Sequence, residues 1–108
     1  MILVIGQERV WGSLGRALPR DATLRFVAFP DLTCEFLQDV RPDLVICRLI
    51  DVGFDAAEVG QRLAAAGFEG RFRAVCHPLP NPSSIKAEIT RVAGGIDFDL
   101  VMVAGRLS

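Results

Sequence analysis

Apolar runs alternate with segments of helical spacing along the whole chain. Five runs have the length and composition of β-strands: ILVIG (2–6), TLRFVAF (23–29), DLVICRLI (43–50), RFRAVCH (71–77) and FDLVMVA (98–104). The first is apolar at every position before its closing glycine, which is typical of a strand covered on both faces of a sheet.

Four segments between these runs place apolar side chains at helical spacing. They are ERVWGSLGRAL (8–18), LTCEFLQDV (32–40), AAEVGQRLAAAG (56–67) and a segment from Pro82 onward that carries Ile85, Ile89 and Val92. The first contains two glycines, which weaken a helix by about 1 kcal/mol each. DVGF (51–54) is predicted to form a loop.

Capping residues mark where the last three helices begin. Asp31 is the predicted N-cap of the second helix, and Asp55 followed by Glu58 approximates a capping box before the third. Asn81 and Pro82 suit the cap and the first position of the fourth helix. A glycine follows each of the last two helices, as is common at helix ends.

Strand and helix alternate without exception, and this order specifies a parallel sheet with right-handed crossovers. A chain of 108 residues is large enough for one such sheet with two helix layers. The sequence therefore predicts a doubly wound α/β fold with an open, parallel five-stranded sheet, in a single domain spanning residues 1–108.

Composition and charge narrow the classes of function. Hydrophobic residues make up 51% of the chain, yet no apolar run approaches the roughly 18 residues that cross a bilayer, so no membrane segment is predicted. The N-terminal MILVIG is too short for a signal-peptide core, which predicts a cytoplasmic protein. A formal net charge of −1 offers no basic field for nucleic acid.

The strand ends are where chemistry is expected. In an open parallel sheet, ligands bind beyond the carboxyl ends of the strands, where the strand order reverses. The residues predicted to lie there are Gly6, Gln7 and Glu8 after the first strand, Arg48 and Asp51 after the third, and Cys76 and His77 after the fourth.

Two of these strands resemble response-regulator receiver domains, the phosphorylated modules of bacterial two-component signalling. ILVIGQE (2–8) is similar to their opening ILVVDDE, and PDLVICRL (42–49) is similar to their PDLVLLDL. The order of elements agrees over nearly all of the chain. The resemblance implies a flavodoxin-like strand order of 2-1-3-4-5.

The same resemblance implies that the receiver's chemistry is missing. Gly6 and Gln7 replace the start of the acidic cluster that binds Mg²⁺, and only Glu8 is kept. Arg48 stands at the position of the phosphoacceptor aspartate, and Cys76 or His77 falls near the switch serine or threonine. The Lys-Pro pair expected after the fifth strand is replaced by AGR (104–106).

Arg48 is therefore predicted to fill a disabled acidic pocket with a fixed positive charge, paired with Glu8 or Asp51. The other interpretation is that its side chain extends past the sheet edge into solvent. The resemblance, with its chemistry missing, implies a receiver-like interaction module in bacterial signalling or regulation that works without phosphorylation and without turnover. The alternative is a domain that binds a small ligand or nucleotide in the strand-end crevice, with Arg48 as an anion anchor.

Other chemistry has little support in the sequence. Cys47, Cys76 and His77 could form a thiol or soft-metal site, but zinc normally takes four ligands and no local pair is present. Three widely spaced cysteines indicate reduced thiols rather than a disulfide framework. The glycines do not form the G-x-G-x-x-G of a dinucleotide site. No metal, no cofactor and no enzymatic activity are predicted.

The predicted partner surface lies around the last strand. Five-stranded doubly wound domains usually close with a fifth helix, whereas this sequence stops at GRLS (105–108). The uncovered flank is expected to bind a protein partner or a second copy in a homodimer, as receivers commonly do through this region. The residues predicted for this interface are Ile85, Ile89, Phe98, Leu100, Met102 and Leu107.

Overall fold

Five parallel strands form the central sheet of the computed structural model, which describes residues 1–6 and 23–103. The strands of this sheet are β1 (Ile2–Ile5), β2 (Leu24–Val27), β3 (Leu44–Arg48), β6 (Arg71–Cys76) and β7 (Asp97–Met102), and an antiparallel hairpin contains β4 (Ile50–Asp51) and β5 (Phe54–Asp55). The sheet order is β2-β1-β3-β6-β7. With the hairpin set aside, this is the predicted order 2-1-3-4-5, and the doubly wound α/β fold is confirmed.

In the described part of the chain, three helices pack on one face of the sheet. They are α1 (Cys34–Val40), α2 (Ala56–Ala65) and α3 (Pro82–Val92). Each inserts an apolar side chain, Leu37, Leu63 or Ile89, into one core cluster that also contains Leu3 and Phe72 from the strands. The helix predicted over residues 8–18 lies outside the described residues.

The other face of the sheet has its own apolar cluster. Ile2, Val4, Ile46 and Val75 are all buried there. Because side chains alternate along a strand, burial on both faces requires the continuous apolar runs seen in the sequence. β1 shows this most completely, since all four of its residues are buried.

The helix caps agree with the sequence in two cases out of three. Asp55 caps α2, its side chain accepting a hydrogen bond from the Glu58 N–H at 2.9 Å. Asn81 occupies the N-cap of α3 but makes no side-chain cap bond. The prediction of Asp31 for α1 is wrong: Asp31 lies in a short 3₁₀ turn, and Thr33 accepts the capping bond from Phe36 N–H instead.

The predicted loop at residues 51–54 is instead part of the β4–β5 hairpin. Ile50 pairs with Asp55, and Asp51 pairs with Phe54. Gly53 stands in the turn with φ of +85°, a conformation that glycine adopts without strain. The hairpin therefore projects directly from the end of β3.

The start of β3 approaches the start of β6 closely. The Arg71 N–H donates to the Asp43 carbonyl at 3.0 Å. A Cβ atom on the preceding Gly70 would lie 2.5 Å from that same carbonyl oxygen and 2.7 Å from the Phe68 ring. The contact leaves no room for a side chain at this position.

Candidate functional site

The ends of β1, β3, β6 and β7 form one margin of the sheet, here termed the carboxyl edge. The residues at this edge are Gly6, Arg48, His77 and Val103. The strand order reverses between β1 and β3, which places Arg48 beside the crevice where ligands of open α/β sheets bind. Gly6 has φ of +128°, in the region that favours glycine. Gln7 and Glu8 lie outside the described residues.

Arg48 forms a loose ion pair with Asp51. Its Nη1 atom lies 3.7 Å from the Asp51 Oδ1 atom, and the two side chains are 23% and 9% exposed. The prediction that Arg48 pairs with a nearby carboxylate is confirmed for Asp51. The pairing places a guanidinium at the end of β3.

The pairing leaves the guanidinium incompletely satisfied. A distance of 3.7 Å is too long for a hydrogen bond, and the buried Arg48 Nε atom has no hydrogen-bond partner among residues 1–6 and 23–103. A buried donor without a partner costs about 1–3 kcal/mol. The guanidinium of Arg48 is therefore only partly paired by its surroundings.

Asp51 also supports the hairpin. Its Oδ1 atom accepts a hydrogen bond from the Val52 N–H at 2.7 Å. The same oxygen therefore faces both a backbone donor and the Arg48 guanidinium. The Asp51 carboxylate therefore already serves as a hydrogen-bond acceptor within the hairpin.

A double-mutant cycle measures the strength of this pair. We expect Arg48→Met to cost less than about 1 kcal/mol of unfolding free energy, because it keeps the apolar stem and removes the unpaired Nε. Asp51→Asn keeps an acceptor for Val52 but leaves Arg48 without a counter-ion, so its cost should be larger. The coupling free energy from urea unfolding of the single and double variants should be about 1 kcal/mol. A coupling of zero would mean that Arg48 acts as a solvent-facing side chain.

The thiols at the carboxyl edge are unsuited to nucleophilic chemistry. Burial raises the pKa of the Cys47 thiol well above its usual value, and the negative charges of Asp51 and Asp55 raise it further. Burial also raises the pKa of Cys76. His77 is exposed at the strand end. Within residues 1–6 and 23–103, no three potential metal-ligating side chains come together.

Alkylation of the native protein tests this description of the cysteines. Cys34 is exposed, whereas Cys47 and Cys76 are buried. Because thiolates rather than thiols react, we expect iodoacetamide to modify Cys34 alone under native conditions and all three cysteines in urea, as read by intact mass. A Cys34→Ser variant should remain unmodified until it unfolds. Native labelling of Cys47 would contradict its burial.

The predicted partner surface is largely occupied by the core. Ile89 and Phe98 are only 5% and 4% exposed, while Ile85 and Leu100 are half-buried against the core cluster. Their expected exposure is wrong because α3 packs over this side of β7. Met102 is exposed, and Leu107 lies outside the described residues.

The face of β7 opposite Phe98 and Leu100 carries charged side chains rather than apolar ones. Asp97 and Asp99 alternate with Phe98 and Leu100 along the strand. Asp97 pairs with Arg73 of β6, the Nη1 and Oδ1 atoms being 3.3 Å apart. This part of the sheet is therefore compatible with water and is not an open apolar flank.

Exposed apolar side chains lie instead at the carboxyl edge. Among the described residues, the large hydrophobic side chains with high exposure are Ile50 (73%), Val52 (93%), Val101 (40%) and Met102 (47%). The first two belong to the hairpin after β3, and the last two end β7. Because β3 and β7 run in the same direction, both pairs emerge at the same end of the sheet. We term these four residues the apolar edge set.

An aromatic and cationic stack holds the hairpin in place. Phe54 of β5 stacks on Phe29 with ring centroids 4.9 Å apart and an interplanar angle of 11°. The Arg62 guanidinium lies 3.8 Å from the centre of the Phe29 ring and donates to the Phe29 carbonyl at 2.6 Å. This anchor could not be predicted from the sequence, because α1 and β3 separate Phe29 from Phe54 along the chain.

A cleft lies at the other end of the sheet. It has a volume of about 440 Å³ and is lined mainly by residues 41–43 and 66–70. These segments precede β3 and β6, so the cleft is separated from Arg48 by the length of the strands.

Among the helices of the described ranges, none is long and apolar enough to span a bilayer.

No family model, curated protein or solved structure matches this chain.

Proposed function

We propose that this chain is a receiver-like interaction domain that acts without phosphorylation. The Arg48–Asp51 pair at the end of β3 is the observation that carries the proposal. A receiver needs a free carboxylate at this position, and the chain has a guanidinium that forms a loose ion pair with Asp51. The strand order, which matches the order that the resemblance implies, supports the same assignment.

Charge at the site opposes receiver chemistry. Mg²⁺ binding requires carboxylate oxygens, and phosphoryl transfer depends on positioning by that ion and its ligands. A fixed cation at Arg48 repels the metal, and the carboxylate of Asp51 is held by Val52 N–H. The domain then works by surface recognition alone.

The apolar edge set is the surface that we assign to recognition. Ile50 and Val52 stand on a hairpin anchored through Phe54, so they are presented without a large ordering cost on binding. Exposed apolar side chains on a fixed element are typical of contact sites for other proteins. The partner is a protein with an apolar patch that covers the hairpin tip.

Phosphorylation is tested with acetyl phosphate and Mg²⁺. Intact-mass spectra should show no phosphoryl adduct, while a phosphorylatable receiver domain treated in parallel should acquire one. An adduct on any aspartate of this chain would overturn the proposal.

Recognition is tested with paired substitutions on the hairpin. Ile50→Asp with Val52→Asp should abolish binding of a protein retained from a cell extract and then purified, as measured by calorimetry. Ala87→Asp, at an exposed position of α3, adds the same type of charge elsewhere and should bind as the wild type does. Self-association that the hairpin variant loses would identify a second copy as the partner. Equal binding by all three proteins would exclude the hairpin.

A second candidate function is anion binding at Arg48. The unpaired Nε atom favours it, and His77 lies at the end of the adjacent strand. Thermal-shift measurements with phosphate, sulfate and nucleotides should then show stabilisation that is lost in Arg48→Met. No shift with any anion would leave the interaction domain as the better supported function.

A further inference from the structure

Among the strands that the structure describes, β7 is outermost, with β6 on one side only. The Val103 N–H bonds to the Cys76 carbonyl. Peptide groups alternate in direction along a strand, so those of Phe98, Leu100 and Met102 point away from β6. These groups form a free edge of the kind that pairs with strands from other chains.

The middle donor of this free edge is already occupied. The Leu100 N–H donates to the Oδ1 atom of the neighbouring Asp99 at 2.8 Å. Lys86 of α3 lies with its Nζ atom 3.4 Å from the same oxygen. A side chain of β7 itself therefore takes up the hydrogen bond that a neighbouring strand would need.

The Asp99 carboxylate stays ionised at neutral pH. Its hydrogen bond from the Leu100 N–H is the largest cause that holds the pKa of Asp99 below its usual value; burial acts in the opposite direction, and the positive charges of Lys86 and Arg73 lower the pKa further. Asp97, the other acid of this strand, is paired with Arg73. The cap on Leu100 is thus a charged acceptor, which binds an N–H more strongly than a neutral one.

We propose that Asp99, held by Lys86, closes the free edge of β7 against pairing with β7 of a second copy of this chain. A second copy is the natural occupant because an antiparallel two-fold contact uses the same strand on both sides. If Leu100 of one copy lay opposite Leu100 of the other, the N–H of each Leu100 would donate a hydrogen bond to the carbonyl of the other. Asp99 intercepts that donor in both copies.

The exposed apolar end of β7 explains why its free edge needs to be closed. Val101 and Met102 follow Leu100 directly and are exposed. An edge strand with exposed apolar residues is prone to self-association unless a charge or an occupied donor interrupts it. The inference concerns the backbone N–H groups of β7, whereas the proposed partner binding rests on exposed apolar side chains, those of Val101 and Met102 included, so different variants test the two.

Asp99→Ala tests the closure, with Asp97→Ala as the matched control. Both variants remove one exposed carboxylate from β7, but the Asp99 side chain accepts the Leu100 N–H, whereas the Asp97 side chain accepts a hydrogen bond from Arg73 of β6. Sedimentation equilibrium over a wide concentration range should show self-association tightened by at least about tenfold in Asp99→Ala, a difference of about 1.4 kcal/mol. Asp97→Ala should match the wild type.

Two further variants separate the hydrogen bond from the charge. Asp99→Asn keeps an acceptor for the Leu100 N–H and should remain closer to the wild type than Asp99→Ala. Lys86→Met releases the carboxylate without changing β7 and should shift self-association in the same direction by a smaller factor. This variant also tests the closure if Asp99→Ala fails to fold.

The location of the contact is read by amide hydrogen exchange. In a dimer of Asp99→Ala, the amides of Phe98, Leu100 and Met102 should exchange more slowly than in its dilute monomer. Equal self-association of the two alanine variants would overturn the proposal, as would a wild-type dimer whose protected amides lie on this edge.

Discussion

Replacing Phe72 with alanine is expected to lower the free energy of unfolding by about 3–5 kcal/mol. Phe72 is fully buried and heads the set of largest fully buried side chains. It lies on β6, between Val45 of β3 and Phe98 of β7 in the sheet register. Its ring packs against that of Phe98 at a centroid distance of 5.0 Å. Truncation leaves a cavity that two neighbouring strands and the helices above cannot fill.

Urea unfolding followed by circular dichroism measures this loss. A small domain has only about 5–15 kcal/mol of stability in total, so the variant should be close to its unfolding midpoint under mild conditions. Phe36→Ala, at a half-buried position of α1, removes the same group at the core boundary and should cost less than half as much. Equal losses in the two variants would contradict the central position of Phe72.

Replacing Arg62 with alanine is expected to cost about 2–4 kcal/mol. Its Nη1 atom donates to the carbonyls of Phe29 and Leu32, at 2.6 and 3.3 Å. Removal leaves these part-buried acceptors without their charged donor and removes the cation from the Phe29 ring. Since Phe29 stacks on Phe54 of the hairpin, the variant should also loosen the apolar edge set.

Two measurements are needed for Arg62. Urea unfolding gives the stability, and hydrogen exchange of the Ala56 amide, which bonds to the Leu49 carbonyl, reports opening beside the hairpin. Arg62→Lys keeps a charge but not the planar group, so it should recover only part of the loss. Arg91→Ala changes an exposed arginine of α3 and should have little effect. A stable Arg62→Ala protein with normal exchange would show that the stack does not anchor the hairpin.

The central sheet could be predicted because strands that are buried on both faces are apolar at every position. Residues 2–5 and 44–47 are apolar without interruption, and each run is long enough to exclude a surface loop. The hairpin could not be predicted in the same way, since strands of two residues contain no periodicity. Only the glycine at Gly53 signals its turn.

Capping and packing at the surface depend on tertiary position. Asp31 and Thr33 are both good N-caps by composition, and the 3₁₀ turn at Phe29–Asp31 decides between them. The expected exposure of Phe98 failed because α3 covers it. The alternation of Asp97 and Asp99 with apolar residues was the signal that one face of β7 is polar.

The candidate site was partly accessible to sequence reasoning. Asp51 follows Arg48 by three residues directly after a strand, so their pairing could be anticipated. It could not be predicted that the Arg48 Nε atom lacks a hydrogen-bond partner among the described residues, because this depends on differences of a few tenths of an ångström in the distances between side-chain atoms. The link from Arg62 to the hairpin joins residues 33 positions apart, and no local pattern encodes it.

The narrow gap between Gly70 and the Asp43 carbonyl predicts how this sequence can change through evolution. Any other residue at position 70 would push the first residues of β3 and β6 apart, whereas exposed positions of the three helices can vary freely. Diverged descendants of this chain should therefore keep a glycine at this point after most surface positions have changed. That glycine, followed by an alternating basic and apolar strand, is a marker by which distant relatives could be found.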